Sequence, residues 1–287
     1  MSESQIIVKL NPDTPPTGSD LSIVNSARRS FGKRSEWGVV DIISPQAREM
    51  HNHPERRLKD KDKRLLEFLA RGMTADDFEA FCRDLGDSVL VDDTGHYDGL
   101  ELSKLKESLW QWRNTPTHDT PFNHGFFSFE VKAPIFVRAQ LVKHEYLIMS
   151  EFSRRYITDD IEFYEPAVWR EQSEDKKQGS SGEHPLWNHG KGTGYREAEY
   201  EHNENALGLY KQMVEMGVSI EQARMVLPQS LMTAWTWSGT LGAFANMCKL
   251  RIHPEAQYES RLVAEKVYEE LKKQFPVSAP LLVKGVY

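Results

Sequence analysis

The sequence predicts a chain that mixes strands and helices, and three stretches carry that expectation. Phe126 to Lys132 reads FFSFEVK, an alternation with the period of a half-buried strand. Asp60 to Arg71 puts Leu65, Leu66 and Leu69 on one side of a charged, amphipathic helix. Ser238 to Ile252 is largely apolar and reads as a second, more buried helix that carries Asn246, Lys249 and Arg251. A buried Asn is costly unless it is paired, so Asn246 stands out there.

Taken in order, Gln5 to Leu10 reads as a short strand, ended by the Pro/Thr/Gly-rich loop Asn11 to Gly18. Thr74 to Leu85 reads as a helix with Thr74 as N-cap and Asp77 at the third helical position. The DDTGHYDG run that follows is turn-rich and reads as a solvated acidic loop, because its Asp and His residues lack the spacing of a known metal site. No metal centre is expected. Trp169 to Gly194 is polar and Gly-rich, with KKQGSSGEHP in the middle, and reads equally as a disordered surface loop or as a flap. Tyr195 to Gly217 predicts a long helix ended by glycine, and Ser219-x-x-Gln222 a capping box for a short one. The last helix is expected to start at His253 to Glu259.

The chain centres on Ala133 to Tyr156, APIFVRAQLVKHEYLIMSEFSRRY. Pro134 suits a first helical turn, where its missing N–H is no loss. Ile135, Phe136, Ala139 and Val142 recur at helical spacing and predict a buried face. Gln140, Lys143 and His144 predict a second face. From Ser150 to Tyr156 an extended run would point Glu151, Ser153 and Arg155 the same way. A hydroxyl beside a guanidinium suits a phosphate, and a carboxylate there suits a sugar hydroxyl.

Composition narrows the class. The chain has 287 residues, 39% of them hydrophobic, enough for a real core. A net charge of −7 argues against a general nucleic-acid binder. Cys82 and Cys248 lie far apart with no CxxC pattern, as in a reducing compartment. No run reaches the length of a membrane helix and MSESQIIVKL lacks a signal-peptide core, so the expectation is a soluble, cytoplasmic protein.

The central stretch resembles the signature of the flavin-dependent thymidylate synthases: Arg-His-Arg, seven residues, Ser, one residue, Arg, usually then Tyr. Here it reads Lys143-His144-Glu145, Tyr146 to Phe152, then Ser153-Arg154-Arg155-Tyr156, so the spacing holds while two of the three opening residues differ. Other blocks resemble the same family in the same order. They are Ser26-Ala27-Arg28-Arg29-Ser30, His118-Asp119-Thr120-Pro121-Phe122-Asn123-His124, Ala223 to Pro228 (ARMVLP), and Arg251 with Ala256-Gln257, where the family's acidic residue is missing. The resemblance spans roughly residues 20–70 and 110–275; the part between, about 72–110, looks like an insertion. Some members carry a segment similar to Trp169-Arg170…Lys177-Gln178-Gly179-Ser180, which is the ground for the flap reading of the flexible loop at about 170–194 beside the surface-loop one.

The resemblance implies an α/β fold with a twisted, mainly antiparallel sheet flanked by helices, a single domain over 1–287, and a homotetramer with shared sites. It implies the reductive methylation of dUMP to dTMP, with methylenetetrahydrofolate as carbon donor, FAD as hydride source and NADPH as reductant. The matching positions imply Arg251 and His118 as catalytic residues. They imply Gln140, Lys143, Glu151, Ser153, Arg155, Arg224 and Arg251 around dUMP. They imply Thr120, Lys143, His144, Glu145 and Asn246 around FAD. No cysteine nucleophile is needed. Lys143 and Glu145 leave two alternatives open: a related pyrimidine-nucleotide hydroxymethylase, or a nucleotide- or flavin-binding homologue without activity.

Overall fold

The computed structural model describes residues 5–39, 56–71, 118–173, 180–184 and 194–283. The expected helix Thr74–Leu85, the acidic loop, Cys82 and the 72–110 insertion lie outside them. In chain order come β1 (Ile7–Leu10), α1 (Asp20–Arg29), β2 (Gly38–Val39), β3 (Arg56–Arg57) and α2 (Asp60–Arg71). A 3₁₀ turn (Thr120–His124), β4 (Phe126–Pro134), α3 (Ile135–Leu141) and β5 (Leu147–Glu151) follow. Then come β6 (Arg170–Gln172), β7 (Ser180–Glu183), α4 (Gly194–Glu215), α5 (Ile220–Ala223) and a second 3₁₀ turn (Arg224–Val226). The chain goes on through β8 (Met232–Thr240), α6 (Leu241–Arg251), α7 (Tyr258–Gln274) and α8 (Ser278–Val283). Two compact units share these residues. One holds the described residues up to Thr17 and from Phe126 to Leu271; the other holds those from Gly18 to Gly125 and from Lys272 to Leu282.

The first unit is built on an antiparallel four-stranded sheet in the order β1-β4-β8-β5. Alternation along β4 and β8 decides its core. Phe129 pairs with Trp237 and Val131 with Trp235, so the large apolar residues of both strands share one face. Phe244 of α6 meets Phe129 and Trp237 edge-on at 5.0 and 5.4 Å between ring centroids. Phe127, Phe129, Trp237 and Phe244 are all fully buried, each stabilising the unit by about 1.5–3 kcal/mol.

The helix expected over Ser238–Ile252 starts later than its apolar content suggested. Ser238 to Thr240 still belong to β8, because the period of two through Trp235, Trp237 and Gly239 keeps pairing with β4. Thr240 then caps α6, its Oγ1 accepting the N–H of Ala243 at 3.2 Å. Asn246 is exposed on α6 and bears no burial cost. The helix expected from His253 likewise starts late, at Tyr258 as α7, since Pro254 and the turn that bonds Ala256 N–H to His253 O keep the preceding residues out of it, and it is not the last, because α8 follows. Ser219 sits at the N-cap of α5, but its side chain makes no capping bond; its carbonyl takes the N–H groups of Gln222 and Ala223 instead. α4 ends as predicted, with Gly217 in the left-handed region at φ 85°.

In the second unit α1 opens with a reciprocal capping box between Ser19 and Ser22, and Arg28 and Arg29 close its last turn. α2 spans Asp60–Arg71 as predicted; Leu66 and Leu69 are buried and Leu65 half-buried. Asp62, fully buried, receives Arg28 Nη2 and Ser35 Oγ, both at 2.7 Å. Buried Asp20 holds the start of α8: its carboxylate accepts the N–H of Val277 at 2.9 Å and of Ser278 at 2.8 Å, and the Ser278 hydroxyl. Burial pushes its pKa up against the pull of those donors. Asp20→Ala leaves buried donors unpaired, and a loss of about 2–4 kcal/mol in urea unfolding is expected; an unchanged midpoint would refute the role of this carboxylate.

Among the described residues, no helix is long and apolar enough to cross a membrane.

Candidate active site

α3 is short, and its burial differs from the expected face. Pro134 is its N-cap, Val137 and Leu141 are buried, Ile135 and Phe136 are half-buried, and Ala139 and Val142 are exposed. Seven residues give two turns, so only the i, i+4 pair Val137/Leu141 turns fully inward. Gln140, near the C-terminal end, accepts a hydrogen bond from Ser260 Oγ of α7. The helix ends at Val142, which leaves Lys143, His144 and Glu145 on a tight turn rather than on a helix face. Tyr146 completes the turn with φ 64°, uncommon for a bulky side chain. That turn sorts the three residues: Lys143 and Glu145 are exposed, and His144 goes inward.

Opposite His144 stands Arg251, the last residue of α6. Its Nε donates to His144 Nε2 at 2.9 Å. The register explains the meeting. Leu147, at the start of β5, pairs with Gly239, just before α6 begins. A Cβ on Gly239 would lie 2.5 Å from Leu147 Cδ2 and 3.1 Å from Tyr146 O, so glycine lets the His144 turn come this close. Burial, and then the positive charge of Arg251, lower His144 to about 4. A histidine lowered from its ordinary 6.5 contributes stability that is fully present above that value and is lost as pH falls toward 4. Burial also lowers the pKa of Arg251.

The expected extended run ends early. β5 stops at Glu151, and residues 154–156 form a turn in which Tyr156 N–H bonds Ser153 O at 3.2 Å. Glu151, Ser153 and Arg155 therefore do not form one strand face. Glu151 is held by Arg138 Nη2 at 2.7 Å and Thr233 Oγ1 at 3.1 Å. Ser153 and Arg155 stay together: Arg155 Nε lies 3.4 Å from Ser153 Oγ, and Arg155 is exposed. Arg154 pins the loop beyond them, donating to the carbonyls of Asp159 at 2.5 Å and Asp160 at 2.8 Å, with its guanidinium 4.9 Å from the centre of the Phe152 ring.

Arg224 is exposed in its 3₁₀ turn, its Nε donating to Glu221 O at 3.2 Å. Asn246 lies two turns into α6, exposed. Glu145 pairs with neither Arg138, which Glu151 holds, nor Lys249, and makes no ion pair among the described residues. Cys248 is fully buried and burial pushes its thiol up, away from the reactive thiolate. The 170–194 segment contains the antiparallel pair β6 and β7, and Arg170 stacks 3.6 Å from the Tyr258 ring centre. Sequence reasoning missed Arg138 as the clamp on Glu151, Ser260 as the partner of Gln140, and Arg154 as the loop pin. Only Arg138 left a signal, a cation on the central helix.

His118 and Thr120 belong to the second unit, both exposed at its 3₁₀ turn. The His118 ring stacks on Phe68 with centroids 5.9 Å apart. Both residues line a cavity of about 1290 Å³ that also presents Ser30, Arg29, Lys33 and Arg34. A flat aromatic wall, hydroxyl donors and three cations suit a flavin nucleotide, whose ring is planar and whose diphosphate is anionic. The residues present fit such a group.

The family model described as thymidylate synthase complementing protein matches residues 16–277, and the chain belongs to that family. A flavin-dependent thymidylate synthase of Thermus thermophilus is 39% identical over 181 residues, covering 63% of this chain and 65% of the relative. The enzyme of the same name from Thermosipho africanus is 34% identical over 189 residues, covering 66% of this chain and 82% of the relative. The chain thus spans about two thirds of the Thermus protein it matches. Among solved structures, a UMP/dUMP methylase, PolB, from Streptomyces cacaoi bound with 5-Br dUMP superposes with a TM-score of 0.62 at 22% identity, over 96% of this chain and 94% of that one. That likeness supports the α/β fold with its antiparallel sheet.

Proposed function

We propose that this protein is a flavin-dependent thymidylate synthase. It methylates dUMP reductively to dTMP, with methylenetetrahydrofolate as carbon donor and NADPH as reductant, acting as a cytoplasmic homotetramer with shared sites. Residues 1–287 form one functional domain in this reading. The observation that carries it is Arg251: a half-buried guanidinium at a helix end, held among the described residues through Nε alone.

Uracil C5 is a poor nucleophile until negative charge can gather on the ring nitrogen and carbonyl oxygens. A fixed cation there stabilises that charge in a site shielded from water. Arg251 supplies the cation. Arg155 and Ser153 take the phosphate, with Arg224 and Lys143 as further cations. Glu151, held by Arg138 and Thr233, orients a sugar hydroxyl, and Gln140, fixed by Ser260, presents its amide nitrogen. Thr120, Lys143, His144, Glu145 and Asn246 are assigned to FAD, with His118 beside it. When bound, the flavin supplies the hydride that completes the methyl group. The test is incubation with dUMP, methylenetetrahydrofolate, FAD and NADPH, followed by mass spectrometry of the nucleotide. A methyl product supports the reading. A hydroxymethyl product replaces it with the hydroxymethylase, and no product from a yellow protein leaves a binding homologue.

Glu145 is exposed and without an ion pair among the described residues, so it reverses the charge of the family position without a compensating contact. Glu145→Arg is expected to tighten FAD by about 3–10-fold at low salt, because two units of charge change near a diphosphate in a screened setting. Equal or weaker binding, measured at one fixed salt concentration, would show that Glu145 makes a favourable contact of its own.

A further inference from the structure

We propose that His144 is a positioning residue for Arg251: its Nε2 accepts the Arg251 Nε–H and thereby sets the plane in which the guanidinium meets its ligand. The proposal rests on the reading of Arg251 as the cation facing the base, and it gives the histidine of the Lys143-His144-Glu145 turn a task distinct from touching flavin.

The hydrogen bond is specific about protonation. A ring nitrogen accepts only when it carries no proton, so His144 must be neutral with its proton on Nδ1. Half-burial and the adjacent guanidinium keep it in that form at neutral pH. Arg251 has five N–H groups in a rigid planar fork. With Nε engaged, the four on Nη1 and Nη2 make no hydrogen bond to any described residue. The side chain is therefore fixed at one point and open along its outer edge.

The neutrality of the partner matters as much as its position. A carboxylate would orient an arginine equally well, but it would cancel the field that the guanidinium must project at developing negative charge. No carboxylate among the described residues pairs with Arg251. Arg138 shows the contrast within the same unit: it faces Glu151 at 2.7 Å and acts as a clamp. A neutral imidazole orients without quenching, which is the arrangement that preorganised electrostatic stabilisation requires. Arginine also carries much rotamer entropy, and fixing it before the ligand arrives removes that cost from the reaction.

The backbone has been shaped for this contact. Tyr146 accepts a left-handed conformation to reverse the chain straight after α3, and Gly239 gives up a side chain so that the turn can approach α6. The turn leaves the flanking Lys143 and Glu145 exposed while the middle residue faces inward.

The experiment compares the holoprotein with His144→Ala and His144→Gln, whose amide oxygen can replace Nε2 as acceptor. Steady-state rates with dUMP, flavin content by absorbance, and ¹⁵N-histidine spectra are recorded for each. His144→Ala is expected to lower kcat by about 10–100-fold at saturating FAD, and His144→Gln to recover part of the loss. The wild-type spectrum is expected to show His144 protonated on Nδ1 at neutral pH, titrating near 4, and rising in part in Arg251→Ala, where burial still lowers it but the adjacent positive charge is gone. A proton on Nε2, a titration indifferent to Arg251, or equal losses of kcat in both His144 variants at saturating FAD would overturn the proposal. A wild-type spectrum as expected, in a protein that does not convert dUMP, refutes the reading of the reaction and leaves the Arg251–His144 contact standing.

Discussion

Arg251→Ala is expected to lower the turnover of dUMP by about 10²–10³-fold, with the fold and the flavin content close to wild type. The size follows from what the side chain does. In the role proposed for it, its charge acts on electron density that appears only as the reaction proceeds, so removing it raises the barrier more than it weakens substrate binding. The fold should survive because Arg251 is the last residue of α6 and only half-buried. The helix is held by Leu241, Phe244, Ala245, Met247 and Cys248, all buried. The measurement is single-turnover conversion of dUMP, read by mass spectrometry, with thermal unfolding and flavin absorbance as controls. A variant with a near-normal rate would remove Arg251 from the chemistry and with it the main support for the proposed reaction.

The parts of this molecule that the sequence made legible are those governed by short-range rules. Period two in FFSFEVK yielded β4, and Leu65, Leu66 and Leu69 yielded α2 to the residue. The motif spacing singled out Arg251, His144, Ser153 and Arg155 as candidates before any distance was known. What stayed hidden depends on residues far apart in the chain. His144 and Arg251 are separated by 107 positions, and only the pairing of Leu147 with Gly239 brings them together. Glu151 read as one of three ligands on a strand, but it is clamped by Arg138 and by Thr233, 82 positions away, and the strand ends beneath it. The helix expected from Ser238 failed for a related reason. Its first residues are apolar or small, which suits a helix and a buried strand alike, and the register with β4 settled the matter. Lys143 and Glu145 looked like a damaged motif; the turn shows them exposed on either side of a histidine that faces inward.

Arg155→Ala is expected to weaken dUMP binding by about 10–100-fold while leaving the kcat of saturated enzyme little changed. Arg155 is exposed, so its attraction to a dianionic phosphate works in a medium nearer to water than to protein interior, and the contact is worth about 1–3 kcal/mol. Ser153 adds a neutral donor, and Ser153→Ala should cost less, about threefold to tenfold. The two are neighbours in one device: Arg155 Nε rests 3.4 Å from Ser153 Oγ, and Arg154 fixes the following loop through two carbonyls. In the proposed reading the phosphate carries the interaction, so the deficit must shrink as salt rises and screening shortens the reach of the charge. It must also vanish for deoxyuridine, which has the base and sugar but no phosphate. Titration of both compounds against the flavin absorbance, at low and at high salt, decides the matter. If Arg155→Ala weakens deoxyuridine as much as dUMP, the loop acts on the fold of the site and not on the phosphate; if it weakens neither, the phosphate is held elsewhere, and the exposed Arg224 is the next cation to test.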